Sequence, residues 1–300
     1  MKKRTAFFGA ILSLIPIGQP LLLKTSSILS TTSLVLFVSK DAYASDYKYY
    51  FNRGYDKGES GNYYGAIADF TKAIEIKPNG AKAYYNRGWN KGKLNDFYGA
   101  IADYTKAIKL DSKYTKAFNN RGLAKYELGK YAEAIIDYDK AIKSDRKYSL
   151  AFYNRGLANY QLGKYEKAIE DYDEAIKLNP QDFSSFYNRG LTKYDLDRYE
   201  EAIKDYDMAI KLDSQDSSSF KNRGLAKACQ KRYEEAIKDY DIAIKLDPHD
   251  DVICSNKGEA NLFLEKYEEA IEDYDKAIKL NFEKVPYFNN RGFAKHKLKR

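Results

Sequence analysis

Two cysteines, two histidines, two methionines, one tryptophan and six prolines are all that this chain of 300 residues contains of these types. His249 and His296 are too few for a metal cluster or an acid–base pair, and no glycine loop is spaced to cradle a phosphate. No catalytic residue, metal site or cofactor is therefore expected. Cys229 and Cys254 fall nine residues out of register in neighbouring parallel helices, an axial offset of about 13 Å at the helical rise of ~1.5 Å. A disulfide needs Cα atoms within roughly 7 Å, so free thiols are expected. Gly/Ser linkers and low-complexity tails are also missing, which leaves no boundary for a second globular domain.

Charge of one sign is scarce only at the start. The net charge is +8, but residues 1–44 hold five of the 51 cations and one of the 43 acids, so half of the excess belongs to that segment. The remainder is Lys alternating with Asp and Glu, a pattern of solvated helix faces rather than a phosphate-binding stripe.

What is present is repetition. Asn154-Arg155-Gly156 recurs at Asn52, Asn86, Asn120, Asn188, Asn222, Asn256 and Asn290, each 34 residues after the last, with Lys257 once in place of Arg. A fixed period of that length without insertions is the signature of a stacked helical solenoid. In the unit 149–182, Phe152, Gly156 and Tyr160 recur every four residues, and Gly163 supplies the left-handed residue that ends the first helix. Tyr165, Ala168, Ile169, Tyr172, Ala175 and Ile176 keep helical spacing until Asn179-Pro180. Small residues where helices approach, with aromatics between them, read as a helix-turn-helix hairpin.

This unit resembles the tetratricopeptide repeat (TPR) family in its early aromatic (Phe152), the glycine four on (Gly156), Ala168, Tyr172, Ala175 and Pro180 in one frame. The resemblance implies an all-α, right-handed superhelical solenoid of TPR hairpins. Seven full repeats (47–80, 81–114, 115–148, 149–182, 183–216, 217–250 and 251–284) are followed by a capping half-repeat (285–300). Three departures stand out. Arg155 and its equivalents replace the family's leucine before the glycine. Lys or Asn stands three residues after it, where the family favours tyrosine. The closing proline is kept only at Pro78, Pro180 and Pro248, which predicts slightly longer second helices ending near Ser112, Arg146, Ser214 and Phe282. The polar AKHKLKR of the last helix is expected to cap the stack.

The first 44 residues differ. Met1 to Arg4 is basic, Thr5 to Leu23 is uncharged and largely apolar, no acid precedes Asp41, and Ala42-Tyr43-Ala44 offers the small residues read by a signal peptidase. An export signal removed before Ser45 is expected, placing the protein in the periplasm or outside the cell. A retained membrane anchor is the other reading, because 19 uncharged residues approach the roughly 20 that span a bilayer. Pro16, Gln19 and Pro20 weaken that span.

A charged pair repeats as well. Arg53, Arg87, Arg121, Arg155, Arg189, Arg223, Lys257 and Arg291 lie between core positions of the first helix. Asp69, Asp103, Asp137, Asp171, Asp205, Asp239 and Asp273 lie beside the core tyrosine of the second. They read as a structural ladder of ion pairs. Because the last half-repeat keeps Arg291 without a second helix, pairing is predicted across repeat boundaries, Arg291 with Asp273.

Function then falls to the concave face of the first helices. In repeats one to three, Phe51, Tyr55, Tyr85 and Trp89 are aromatic, Lys48, Lys82 and Lys116 recur ahead of Asn52, Asn86 and Asn120, and Gly58 and Gly92 leave space beside them. Rigid aromatics flanked by cations suit an acidic or mixed peptide, and the asparagines can both donate to and accept from a peptide backbone. Two blander readings stay open: the aromatics conserve core volume, and the asparagines bond between neighbouring helices. The family's two-lysine clamp for an acidic C-terminus is not cleanly reproduced. The expected function is a non-catalytic protein-interaction scaffold with a protein or peptide partner and no small-molecule substrate. Membrane contact would come only through an uncleaved N-terminal segment. A nucleic-acid-binding helical repeat and an accessory enzyme are the rivals, the first disfavoured by charge and period, the second by the lack of a site.

Overall fold

In the computed structural model the backbone is described for residues 29–299 and the side chains for 44–299. The basic and apolar parts of the expected export signal, Met1 to Leu23, lie outside the described residues. The chain divides into two compact units, 1–45 and 46–300, and the second is the array. Its hairpins are the part of α1 (Leu29–Glu59) from Asp46 onward with α2 (Tyr63–Ile76), α3 (Ala81–Lys93) with α4 (Phe97–Leu110), α5 (Thr115–Glu127) with α6 (Tyr131–Ser144), and α7 (Ser149–Gln161) with α8 (Tyr165–Leu178). They continue as α9 (Phe183–Asp195) with α10 (Tyr199–Leu212), α11 (Ser217–Cys229) with α12 (Tyr233–Leu246), and α13 (Asp251–Phe263) with α14 (Tyr267–Leu280), before a single helix, α15 (Val285–Leu298). None of the described helices is long and apolar enough to cross a membrane.

Each hairpin closes by the same local chemistry. The residue after the first-helix C-cap takes positive φ: Gly61, Gly129 and Gly163 do so without steric cost, whereas Asn95, Asp197, Lys231 and Glu265 do so at φ of 59 to 62°. The hairpin core is alanine against tyrosine. Ala168, Tyr172 and Ala175 are fully buried, and a Cβ added to Gly156 would sit 2.7 Å from the Tyr172 ring. Glycine is therefore required at that crossing, where the tyrosine ring seats on bare backbone.

The second helices do not lengthen where proline is lost. All seven run for 14 residues, so the longer helices expected at Ser112, Arg146, Ser214 and Phe282 do not occur. At each end the C-cap N–H bonds the carbonyl of an alanine four residues back, as Asp145 does with Ala141 at 2.9 Å. Where that cap is Asp or Asn, in every repeat but the first, its side chain then accepts from the N–H two residues on, as Asp111 does from Lys113 at 3.0 Å and Asp145 from Lys147 at 2.9 Å. This Asx turn stops the helix as well as proline does.

Stacking is asymmetric. Among the described residues, the backbones of alternate first helices come close together (α3 with α5, α5 with α7, and so on to α13 with α15), while those of successive second helices do not. The first helices therefore line the inner, tighter side of the stack.

Between the two layers runs the ion ladder, with connections that differ from the sequence expectation. Arg155 donates from Nε and Nη2 to Asp171 of its own repeat at 2.9 and 2.6 Å, and its Nη1 reaches Asp139 of the preceding repeat at 2.6 Å. Arg189 and Arg223 repeat the arrangement with Asp205 and Asp173, and with Asp239 and Asp207. In the first repeats Thr71 and Thr105 stand where these outer aspartates would be and accept from Arg87 and Arg121. The buried aspartate is thus the one within the hairpin, not across the boundary. Arg291 bonds Asp275 and not Asp273, because Asp273 is already held by Asn261 at 2.9 Å and by Lys257 at 3.6 Å.

The residue three after each glycine completes the rung. Lys57, Lys91, Lys125, Lys193 and Lys227 each place Nζ within 2.7 to 2.9 Å of the same buried carboxylate, and Asn159 does so with Nδ2 at 2.9 Å. Two departures from the family pattern, Arg before the glycine and Lys or Asn after it, are therefore parts of one network. A carboxylate taken out of water needs these donors.

The cap is less polar than AKHKLKR suggests. Ala294 is buried, but Phe293 is 52% exposed and Phe288 40%, whereas the equivalents of Phe288 at Phe118, Phe186 and Phe220 are 7% exposed. No second helix covers α15 among the described residues.

Candidate functional site

Along the inner face, the residue after Ala158 and Asn159 in each first helix decides whether the groove is open or filled. At Tyr126, Tyr160 and Tyr194 the ring packs on the first residue of its own second helix, Tyr131, Tyr165 and Tyr199, with centroids 5.1 to 5.4 Å apart. At Gly58 and Gly92 no ring fills this place. A cavity of about 220 Å³ opens between repeats one and two, lined by Tyr55, Gly58, Tyr85, Asn86 and Trp89. A second of about 390 Å³ opens between repeats two and three, lined by Trp89, Gly92, Phe97, Tyr104 and Asn120. Trp89 borders both. It meets Tyr63 edge to face at 6.2 Å and lies under Lys93 Nζ at 5.1 Å.

The structure brings together Tyr55, Tyr85, Asn86, Trp89 and Asn120 of the expected site. It leaves out the rest. Phe51 is built into the core of repeat one between Tyr47 at 5.7 Å and Phe70 at 5.6 Å. Lys48, Lys82, Lys116 and Asn52 are exposed but line neither cavity. Tyr85 is mostly packing: it lies 4.9 Å from Tyr114 and 5.7 Å from Tyr104, and burial pushes its phenol pKa up to about 12.

The asparagines split in the same way. Asn120 donates to Tyr85 Oη at 3.0 Å, Asn188 to Tyr153 at 3.3 Å, Asn222 to Tyr187 at 2.9 Å, and Asn154 to Asn119 at 3.0 Å. These four bond between neighbouring first helices. Asn86 differs, because the residue 35 before it is Phe51, which has no hydroxyl.

Sequence reasoning missed that the groove opens again at the other end. One cavity of about 390 Å³ lies between repeats six and seven beside Ala228, Tyr233 and Phe263, and one of about 440 Å³ lies between repeat seven and α15 beside Leu262, Tyr267 and Phe293. The signal was Ala228 and Leu262 at the position of Tyr194. The middle of the array is plugged, and its two ends are open. Among the described residues no His, Cys, Asp and Glu side chains group as a metal site would require, and both cysteines are free.

Models of the tetratricopeptide repeat match residues 47–79 and 183–216, 217–250 and 252–283, and a related TPR repeat model matches 93–129, 122–163 and 156–197. No curated protein sequence matches the chain. Solved structures similar to it include the C-terminal part of a TPR repeat-containing protein from Cytophaga hutchinsonii, with TM-score 0.66 and 20% identity over 80% of this chain and 98% of that one. PilF of Pseudomonas aeruginosa is similar with TM-score 0.61 and 24% identity, over 69% and 94% of the two chains. YrrB, described as a TPR protein with an unusual peptide-binding site, is similar with TM-score 0.57 and 22% identity, over 63% and 97%. At these identities the likeness is one of fold.

Proposed function

The chain belongs to the tetratricopeptide repeat family, and from that premise we propose that it is a non-catalytic scaffold holding a peptide of a partner protein in the N-terminal groove of its first helices. The carrying observation is the pair of cavities that share Trp89, opened by Gly58 and Gly92 where repeats three to five hold tyrosine. A large half-buried ring between two hollows is a suitable anchor, since it buries much area with few rotamers to freeze. The similarity to YrrB, whose description names peptide binding, supports the same reading. Lys48, Lys82 and Lys116 act at the rim in this scheme, favouring acidic or mixed sequences and steering encounter.

The composition of residues 1–44 supports action outside the cytoplasm, in assembly of a complex, with Ser45 as the first residue of the mature chain. Intact mass of natively produced protein tests this, and recovery of the full-length chain in the membrane fraction would favour the anchored form.

The groove itself is tested by Gly92→Tyr. Nothing lies within 4 Å of a Cβ at Gly92, so the ring fits, plugging the cavity as Tyr126 does one repeat later. Crosslinked adducts captured from the native compartment by the wild-type chain should vanish with this variant. Undiminished capture would rule out the N-terminal groove.

A further inference from the structure

Two residues after the first-helix glycine, repeats three, four, six and seven carry alanine (Ala124, Ala158, Ala226 and Ala260), whereas repeat two carries Asn90. That side chain is only 2% exposed. Its Nδ2 donates to the Asn86 carbonyl at 2.8 Å, which fixes the orientation of the amide, because a carbonyl only accepts. Oδ1 is left buried with no hydrogen-bond partner among the described residues, a costly state for an acceptor. Asn90 lines the cavity between repeats one and two. A Cβ on Gly58 would sit 2.9 Å from this oxygen, so a side chain at position 58 would collide with it.

The rest of the cavity is aromatic and acidic. Tyr55, Phe70, Tyr85 and Trp89 line it, and Glu59 is its one charged lining residue. Tyr55 and Glu59 are exposed, so they stand at the mouth. The cations of α1 nearby are engaged elsewhere, since Arg53 and Lys57 both bond Asp69. Lys93 lies over Trp89 but lines the neighbouring cavity, together with Glu127. Ring faces, a carboxylate and an unpartnered acceptor together favour a positive charge that carries N–H. We propose that this cavity is a subsite for a lysine side chain of the bound peptide, with the rings around its stem, its ammonium donating to Asn90 Oδ1 and Glu59 opposing its charge. The inference rests on the reading of the N-terminal groove as a peptide site and names what that groove selects. A cavity of about 220 Å³ is of side-chain size, and one deep oxygen suits a point-like ammonium better than the planar fork of arginine.

Trp89 is the sole tryptophan, so its indole N–H resonance is a single reporter on the full chain. Titration with Nα-acetyl-lysine N-methylamide should shift it and saturate. The norleucine analogue keeps the stem and lacks the ammonium, and the trimethyl-lysine analogue keeps the charge and lacks N–H; each should bind about tenfold more weakly, the value of a charge-assisted hydrogen bond. Asn90→Ala installs the residue that four other repeats carry and should lower the affinity for lysine by a similar factor while leaving norleucine unchanged. The proposal is overturned by the absence of a saturable lysine shift, by either analogue binding as well as lysine, or by folded Asn90→Ala protein that binds lysine undiminished. Partner capture that is lost with Gly92→Tyr but kept by Asn90→Ala would sink the lysine subsite alone. Capture undiminished by Gly92→Tyr beside an intact lysine shift would instead uphold lysine recognition and remove the groove reading.

Discussion

Arg155 grips Asp171 from two nitrogens of one guanidinium, at 2.9 and 2.6 Å, sixteen residues along the same hairpin. Its third nitrogen ties the hairpin to the preceding one through Asp139 at 2.6 Å. One side chain thus fastens both the two helices of a repeat and two successive repeats.

The two acids of a rung should differ sharply in energetic weight. Asp171 is buried, and Asn in its place leaves Nε and Nη2 of Arg155 without their carboxylate, so Asp171→Asn should cost about 3–5 kcal/mol. Asp173, paired with Arg189 but with a side chain 54% exposed, should cost below about 1 kcal/mol as Asn. Chemical denaturation of the two variants checks this, and matching midpoints would contradict it.

The aspartates of different rungs titrate in different directions. Burial holds Asp171 above the ordinary carboxylate range despite Arg155, and Asp273 behaves likewise. Asp69, bonded by both Arg53 and Lys57, is held below it. A carboxyl whose folded pKa is raised favours the native state at low pH, and that contribution disappears as pH rises from the unfolded value of about 3.9 through the folded one. Asn159→Lys supplies the second cation. Its gain should be near zero at about pH 3 and reach about 1.5–3 kcal/mol at neutral pH. Urea midpoints at both pH values decide, and an equal gain at each would refute the assignment.

Turn strain should be removable. Glu265 and Lys231 hold φ of 60 and 62° where Gly163 stands at 68°. Glu265→Gly and Lys231→Gly should each stabilise by about 1 kcal/mol, and Gly163→Ala should destabilise by about as much. Thermal melts measure both directions.

Trp89 is the only tryptophan, so its emission reports directly on the groove. A bound peptide should shift it, and Trp89→Ala should weaken binding by about 2 kcal/mol or more. Lys82→Glu should lower the association rate in low salt and lose that effect in high salt. Lys221→Glu is a poor control, because Lys221 is tied to Asp250 at 2.9 Å; exposed Lys211→Glu serves better. Unchanged binding by folded Trp89→Ala protein would remove the anchor role.

Tyr138 and Tyr206 bury their hydroxyls without a protein partner, and repeat one carries Phe70 at this position. Tyr206→Phe should therefore be neutral or stabilising by up to about 1 kcal/mol. A loss of stability on melting would show that the hydroxyl is satisfied in solution.

The sequence alone determined whatever depends on neighbours along the chain. The 34-residue period, the hairpin, the glycine turns and the alanine contacts were legible because a solenoid is built from one local unit against its copies. The pairing of Arg155 was not legible, since Asp139 and Asp171 both lie sixteen residues away, one before and one after. Only the packed geometry assigns the guanidinium's paired nitrogens to Asp171 and the remaining one to Asp139. Nor could spacing show that Phe51 belongs to the core while Trp89 borders open space, or that Ala228 reopens the groove. Those outcomes depend on which ring on the facing helix fills a hollow, and tertiary packing alone decides that.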